Sequence, residues 1–158
     1  MAAKKPVSKP PPPVPPSRTA TLEERGLPIV RELARVARAA DPARVKLEGA
    51  MEILFGAYGE SDPEFSGLFL DGWVRAREDH ELRLTLAWQR EQIRLSLHDI
   101  LAEGVAAGVF RPDLDAHAVA AVILGAAEGC LLQTASQGGA VPPAEIMQTL
   151  LRLAFNAA

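Results

Sequence analysis

The sequence predicts an all-α fold of about six helices, and three observations carry that expectation. Alanine and leucine supply 27 and 20 of the 158 residues, while only 5% are aromatic; both lose little on entering a helix. Apolar residues recur at three- and four-residue spacing along most of the chain, the period of a helix with one buried face. No segment sustains the strict alternation of a half-buried strand. Seven of the 13 prolines fall in the first 16 positions, so the core draws on the 140 residues from Thr19 to Ala158. That is enough for one domain and too few for two ordinary ones. With 48% hydrophobic and 23% charged residues, wholesale disorder is excluded.

Residues 1–18 read as a basic, disordered, proline-rich arm. Proline fixes φ and removes a backbone donor, so Pro10 to Pro16 are expected to sample polyproline II. Such an arm is either a solubilising spacer or a docking peptide for an aromatic groove. Residues 19–40 read as a short basic amphipathic helical segment. Thr21 and Glu24 have the spacing of a capping box. Pro28 is expected to break or restart the helix, after which Val30, Leu33, Ala34 and Ala37 form a stripe.

Residues 41–158 hold the remaining helices. Asp41-Pro42 is a start signal, a side-chain cap followed by proline at the first helical position. The helix behind it aligns Leu47, Met51, Leu54, Phe55 and Tyr58, and Gly59 ends it. Asp62-Pro63 repeats the signal, and Phe65, Leu68, Phe69, Gly72, Trp73 and Ala76 follow at helical spacing. A long helix is expected from about His80 to Ala107. Leu82, Leu86, Ile93, Leu97, Ile100, Leu101 and Val105 form its main face, and Leu84, Trp88 and Leu95 a second one. A helix apolar on two sides is expected to lie between others. Gly108 ends it, Phe110-Arg111-Pro112-Asp113 turns the chain, and Asp115 caps a helix to about Ser136. Gly138-Gly139 and Pro142-Pro143 punctuate before a last helix, Ala144 to Asn156. No internal repeat is visible.

Charge is divided unevenly. Residues 1–46 carry a net +6 and residues 47–158 a net −9. A polyanion contact therefore belongs to the first third of the chain. Cys130 is the single cysteine, which excludes an internal disulfide and a cysteine-cluster metal site and fits a reducing, cytoplasmic setting. No run of 18 uninterrupted apolar residues occurs, so no membrane span is expected. No apolar stretch follows Lys4, Lys5 and Lys9, which argues against a cleaved secretory signal.

Three constellations stand out. Arg31, Arg35 and Arg38 share one face, either a solvated basic row or a contact for phosphate or an acidic surface. Ala118, Ala121, Gly125, Gly129 and Leu132 form a small-residue stripe. It suits close helix packing, within the core or between subunits, where Ile146, Met147, Leu150, Leu151 and Ala154 of the last helix would join it. Met51, Phe55, Tyr58, Phe69, Trp73, Trp88, Gln92 and Cys130 read as core or as the lining of an apolar pocket, with Gln92 its polar orienter. Glu128 is the one acid on its helix and reads as solvent-facing, as a pocket cap or as half of an interface ion pair. His80, His98 and His117 show no metal-ligand spacing, and His98 is expected to point away from Asp99. No nucleophile elbow or phosphate-cradling loop is present. Neither catalytic residue, metal nor cofactor is therefore expected.

The stretch LSLHDILAEGVAAGVFRPDLDAHAVAAVILGAAEGCLLQ, Leu95 to Gln133, resembles the C-terminal regulatory domain of TetR-family transcriptional repressors. A long helix ending in EGVAAGVF, the turn FRPDLD and an Ala-rich helix with a late glycine carry the likeness, which extends over about Asp41 to Phe155. The resemblance implies an all-helical domain that binds a small hydrophobic effector within one subunit and dimerises through its last two helices. On that reading the small-residue stripe and the last helix form a homodimer interface, a four-helix bundle built isologously.

Family members carry an N-terminal helix-turn-helix head. Here Thr19 to Ala40 offers 22 residues, and the segment IVRELARVARAADPARV, whose VRELA wording resembles the supporting helix, lacks the turn glycine. The expectation is a homodimeric sensing domain involved in transcription regulation, without its own sequence-specific DNA contact. It would stand alone, pair with a full-length TetR-like partner, or keep a reduced DNA contact through Arg31, Arg35, Arg38 and the arm. A pure interaction protein and an incomplete repressor whose gene starts upstream are the other readings.

Overall fold

The computed structural model describes residues 18–59, 63–135 and 141–155. Six helices run through them: α1 (Arg18–Arg38), α2 (Ala43–Gly59), α3 (Pro63–Arg75), α4 (His80–Ala106), α5 (Ala116–Ala135) and α6 (Pro143–Ala154). The Asp41-Pro42 signal marks the start of α2, but the helix begins at Ala43, so Pro42 and not Asp41 holds the cap position. Pro42 sits at the entry to α2, where its missing N–H costs nothing, and its carbonyl accepts from Lys46 N at 3.0 Å. Asp79 caps α4 by accepting from Leu82 N at 3.0 Å. Asp115 caps α5 by accepting from His117 N and Ala118 N. At the end of α4, Gly108 takes φ +69, a left-handed backbone that side chains resist.

The long helix α4 is the strut of the bundle and packs against α1, α2, α3 and α5. Leu82, Leu86, Ile93, Leu97, Ile100 and Leu101 are buried along it. They meet Leu47, Met51, Leu54, Phe55 and Tyr58 of α2 and Ile123, Leu124, Ala127, Cys130 and Leu131 of α5 in one core. Two tertiary devices lock its far end. Lys46 is buried, and its Nζ donates to Glu103 Oε2 at 2.7 Å and to the Ala37 carbonyl at 3.3 Å. That bond ties α1, α2 and α4 together and leaves the buried charge satisfied. Phe110 is wholly buried against Gly104, where any Cβ would collide with its ring. A short antiparallel bridge joins Phe110 to Phe155 after α6.

Several sequence expectations change. The helix α1 is continuous through Pro28 and begins at Arg18, so Thr21 lies inside it and Pro28 does not break it. The Pro28 ring is exposed, while Leu22, Val30 and Leu33 are buried on either side. Packing on α4 therefore outweighs the local cost of the proline. Gln89, buried on α4, donates to the Leu22 carbonyl at 3.2 Å and sits where Gly26 has no side chain. The second face of α4 is not covered: Leu84, Trp88 and Leu95 are exposed. His98 Nδ1 does meet Asp99 Oδ1, at 3.2 Å on the surface, although neighbouring helix positions point apart. The Asp62 cap, the Gly138-Gly139 break and the proline arm up to Ser17 lie outside the described residues.

One helix passes the length and composition test for a membrane span. Ala116–Gln133 reaches a mean hydropathy of 1.5, and a third of it is buried. In this bundle it is one packed element among six, in contact with α2, α3, α4 and α6, and alone it is weak evidence for a span.

Candidate functional site

The aromatic side chains of α2 and α3 form a chain leading from the core to the surface. Tyr58 stands edge-on to Phe65 and Phe69, with centroids 6.0 and 5.5 Å away, and Phe69 meets Trp73 at 6.3 Å. Trp73 closes that chain at the surface, 41% exposed. Beside it lies a cleft of about 300 Å³ between α3 and α5, lined by Phe69, Leu70, Trp73, Val74, Glu128 and Leu132. The helical spacing of Phe69, Trp73 and Leu70 places all three on the α5 side of α3.

The cleft has one polar feature. Glu128 accepts a bidentate pair from Arg90 of α4, Nε to Oε1 at 2.6 Å and Nη2 to Oε2 at 3.0 Å. Such a fork fixes both side chains. The Arg90 guanidinium also lies 4.9 Å from the centre of the Trp73 ring, a cation–π contact. Burial pushes the Tyr58 hydroxyl well above its ordinary range, the Glu128 charge reinforces the shift, and Arg90 opposes it. Tyr58 is therefore a neutral group at any physiological pH. Chemically, the site offers an apolar slot with a fixed charge pair at its wall.

The sequence-selected pocket residues separate into four places. Met51, Phe55, Tyr58, Phe69 and Cys130 are buried in the common core, and Trp73 stands at the cleft. Trp88 lies elsewhere, in a groove between α1 and α4 with Leu27 and Gln89. Gln92 is half-buried and its carbonyl accepts from Ser96 Oγ. Sequence reasoning missed Arg90, Leu70 and Val74. Glu128 as the one acid on α5 was the available signal, but its partner is 38 residues away and only the α4–α5 packing reveals it.

The stripe on α5 divides the helix lengthwise. Ala120, Ile123, Leu124, Ala127, Cys130 and Leu131 are buried, whereas Ala118, Ala121, Val122, Gly125 and Leu132 are exposed and Gly129 is half-buried. A side chain added at Gly125 or Gly129 would meet nothing. Ile146, Met147, Leu150 and Leu151 of α6 are half-buried, Ala154 is buried, and Leu153 is 61% exposed. Arg31, Arg35 and Arg38 are all exposed on α1, and Arg35 is tied to Glu32 in a bidentate pair.

A family model described as BetI-type transcriptional repressor, C-terminal, matches residues 43–154. The chain therefore belongs to that group of TetR-family transcriptional regulators and carries their regulatory domain. Solved structures agree on the fold. A bacterial regulatory protein of the tetR family from Rhodococcus RHA1 superposes with a TM-score of 0.71 at 16% identity, over 89% of this chain and 74% of that one. KstR2, a ketosteroid transcriptional regulator of Mycobacterium tuberculosis, gives 0.68 at 17% identity, over 89% and 72%. No curated protein matches the chain.

Proposed function

We propose that this chain is a homodimeric sensing domain that takes a small hydrophobic effector in the α3–α5 cleft. The observation that carries the reading is the cleft itself: apolar walls from Phe69, Leu70, Trp73, Val74 and Leu132 around one oriented pair, Arg90–Glu128. An effector there would rest on the Trp73 ring and direct one polar group toward Glu128. The uncovered small-residue face of α5, with Leu153 of α6, supports pairing between subunits. The reading has no catalytic role, metal or cofactor and places the protein in the cytoplasm. It assigns no helix-turn-helix to the segment before α2, because Arg18–Arg38 is one unbroken helix.

A thermal-shift screen of apolar compounds tests it. A ligand at about a hundred times its Kd contributes ~2.7 kcal/mol, a rise of roughly 5–10 °C for a domain of this size. Trp73→Ala is expected to abolish the shift while Trp88→Ala leaves it. A screen without hits, or a hit indifferent to Trp73, contradicts the assignment. The α5 face also favours a second reading, pairing with a full-length relative; mixing the two proteins and sizing the product separates it from homodimerisation.

A further inference from the structure

The groove around Trp88 belongs to none of the roles above. It lies between α1 and α4, has a volume of about 370 Å³, and is lined by Glu23, Leu27, Leu84, Thr85, Trp88 and Gln89. Leu84 is 56% and Trp88 49% exposed. These are large apolar groups standing in water next to one another, and Leu95 extends the same helix face. The groove is well built: Gln89 is pinned to the Leu22 carbonyl, and Thr85 Oγ1 donates to Glu23 at 3.2 Å. We infer that this groove is a docking site for the chain's own proline-rich arm, residues 4–16, held in polyproline II form. The inference is independent of the effector cleft and stands or falls separately from it.

Three observations select the arm over other occupants. The first is chemistry. A proline run presents a preformed, low-entropy helix of rings and solvated carbonyls, which aromatic-lined grooves recognise. An exposed tryptophan offers a flat face for the rings and one N–H for a carbonyl. The second is charge. The arm carries Lys4, Lys5 and Lys9 and no acid, while residues 47–158, which include all of α4, carry a net −9. The third is reach. The arm joins the fold at Arg18, the first residue of α1, which is itself one wall of the groove. From Arg18 to Leu27 the helix advances ~13 Å at its standard rise. The seven residues Pro10–Pro16 span ~22 Å in polyproline II. A reversal just before Arg18 therefore lays the proline run along Leu27, Leu84 and Trp88.

Paramagnetic broadening tests the contact in the full chain. Ser8→Cys, in a Cys130→Ser background, carries a nitroxide label in the arm. The two indole N–H resonances are distinguished with Trp73→Phe. The expected result is loss of the Trp88 indole signal with the Trp73 signal retained, and recovery of Trp88 when Pro11, Pro12 and Pro13 are all replaced by glycine. A Trp88 signal unaffected by the label overturns the proposal. So does loss that persists after the prolines are replaced, since the proline helix would then not be what binds. Mixing labelled chains with isotope-enriched unlabelled ones gives the last control: broadening seen only in the mixture makes a second copy the occupant and overturns docking within the chain. Because Ser8 lies outside the helices, the label leaves the fold intact; if Cys130→Ser lowers stability, Cys130→Ala serves as the second background.

Discussion

The helices α4 and α5 answer the same problem differently. Along α4, buried leucines and isoleucines alternate with charged residues that pair on the surface, as Glu91 does with Arg94, and Leu84, Trp88 and Leu95 stand exposed among them. Along α5 the outward side carries Ala118, Ala121, Val122, Gly125 and Leu132 instead, and the helix holds a single acid, Glu128, and no Lys or Arg. A helix apolar all round belongs inside a structure, yet α5 is covered on one side only. The glycines sharpen the contrast. Gly104 on α4 exists because the Phe110 ring occupies the place of a side chain, whereas Gly125 on α5 faces open space. Gly49, Gly56 and Gly67 face open space as well, so the glycine alone does not mark a contact; on the proposed reading it is the exposed apolar side of α5 that makes α5 the interface and α4 the strut.

The first way to break that contrast is to add the same methyl group to each glycine. Gly104→Ala overpacks the Phe110 site and is expected to cost ~1–3 kcal/mol in urea unfolding. Gly125→Ala gains helix propensity and is expected to stabilise the isolated fold by up to ~1 kcal/mol. Equal effects at the two positions would erase the distinction drawn here.

A smaller effect is expected from Glu128→Ala. It leaves Arg90 without its fork, and the pair is neither fully exposed nor fully buried, so the cost lies at ~1–2 kcal/mol, between surface and buried pairs. Glu128→Gln retains one hydrogen bond and is expected to cost less. If both variants unfold like the parent, the pair does not brace the cleft.

The smallest effect concerns the turn between the two helices. A hydrogen bond from the Arg111 guanidinium, with its charge, holds the Asp113 carboxyl below its ordinary value. A depressed carboxylate stabilises the fold above its unfolded pKa, and that contribution is lost as pH falls through the folded value. Arg111→Ala is expected to return Asp113 toward the ordinary range in an NMR titration, with little change in melting temperature because the pair is exposed. An unmoved Asp113 would assign its shift to the backbone instead.

Much of this fold is legible in the sequence, and the legible part is local. Pro42, Asp115 and Gly108 act locally, so their signals are read within a few residues, and Asp79, the side-chain cap of α4, carries an equally local signal that the sequence reading passed over. Periodicity likewise identified the buried faces of α2 and α4. Pro28 shows the limit: its local cost is real, but packing of Leu22, Val30 and Leu33 on α4 carries the helix through it. The cleft was legible in part. Phe69 and Trp73 share a spacing that a sequence displays, whereas Arg90 reaches Glu128 only because α4 and α5 pack together. Trp88 misled for the same reason, since one residue type in one helix pattern fits either of two faces and tertiary packing decides which.

The central claim is that the open side of α5 is a subunit interface, and sedimentation equilibrium tests it most directly. The full chain is expected at twice its 16.9 kDa mass, and Gly125→Leu at the single-chain mass with helicity unchanged by circular dichroism. A full chain that sediments as a monomer throughout the micromolar range, or a Gly125→Leu variant that stays dimeric, would contradict the account.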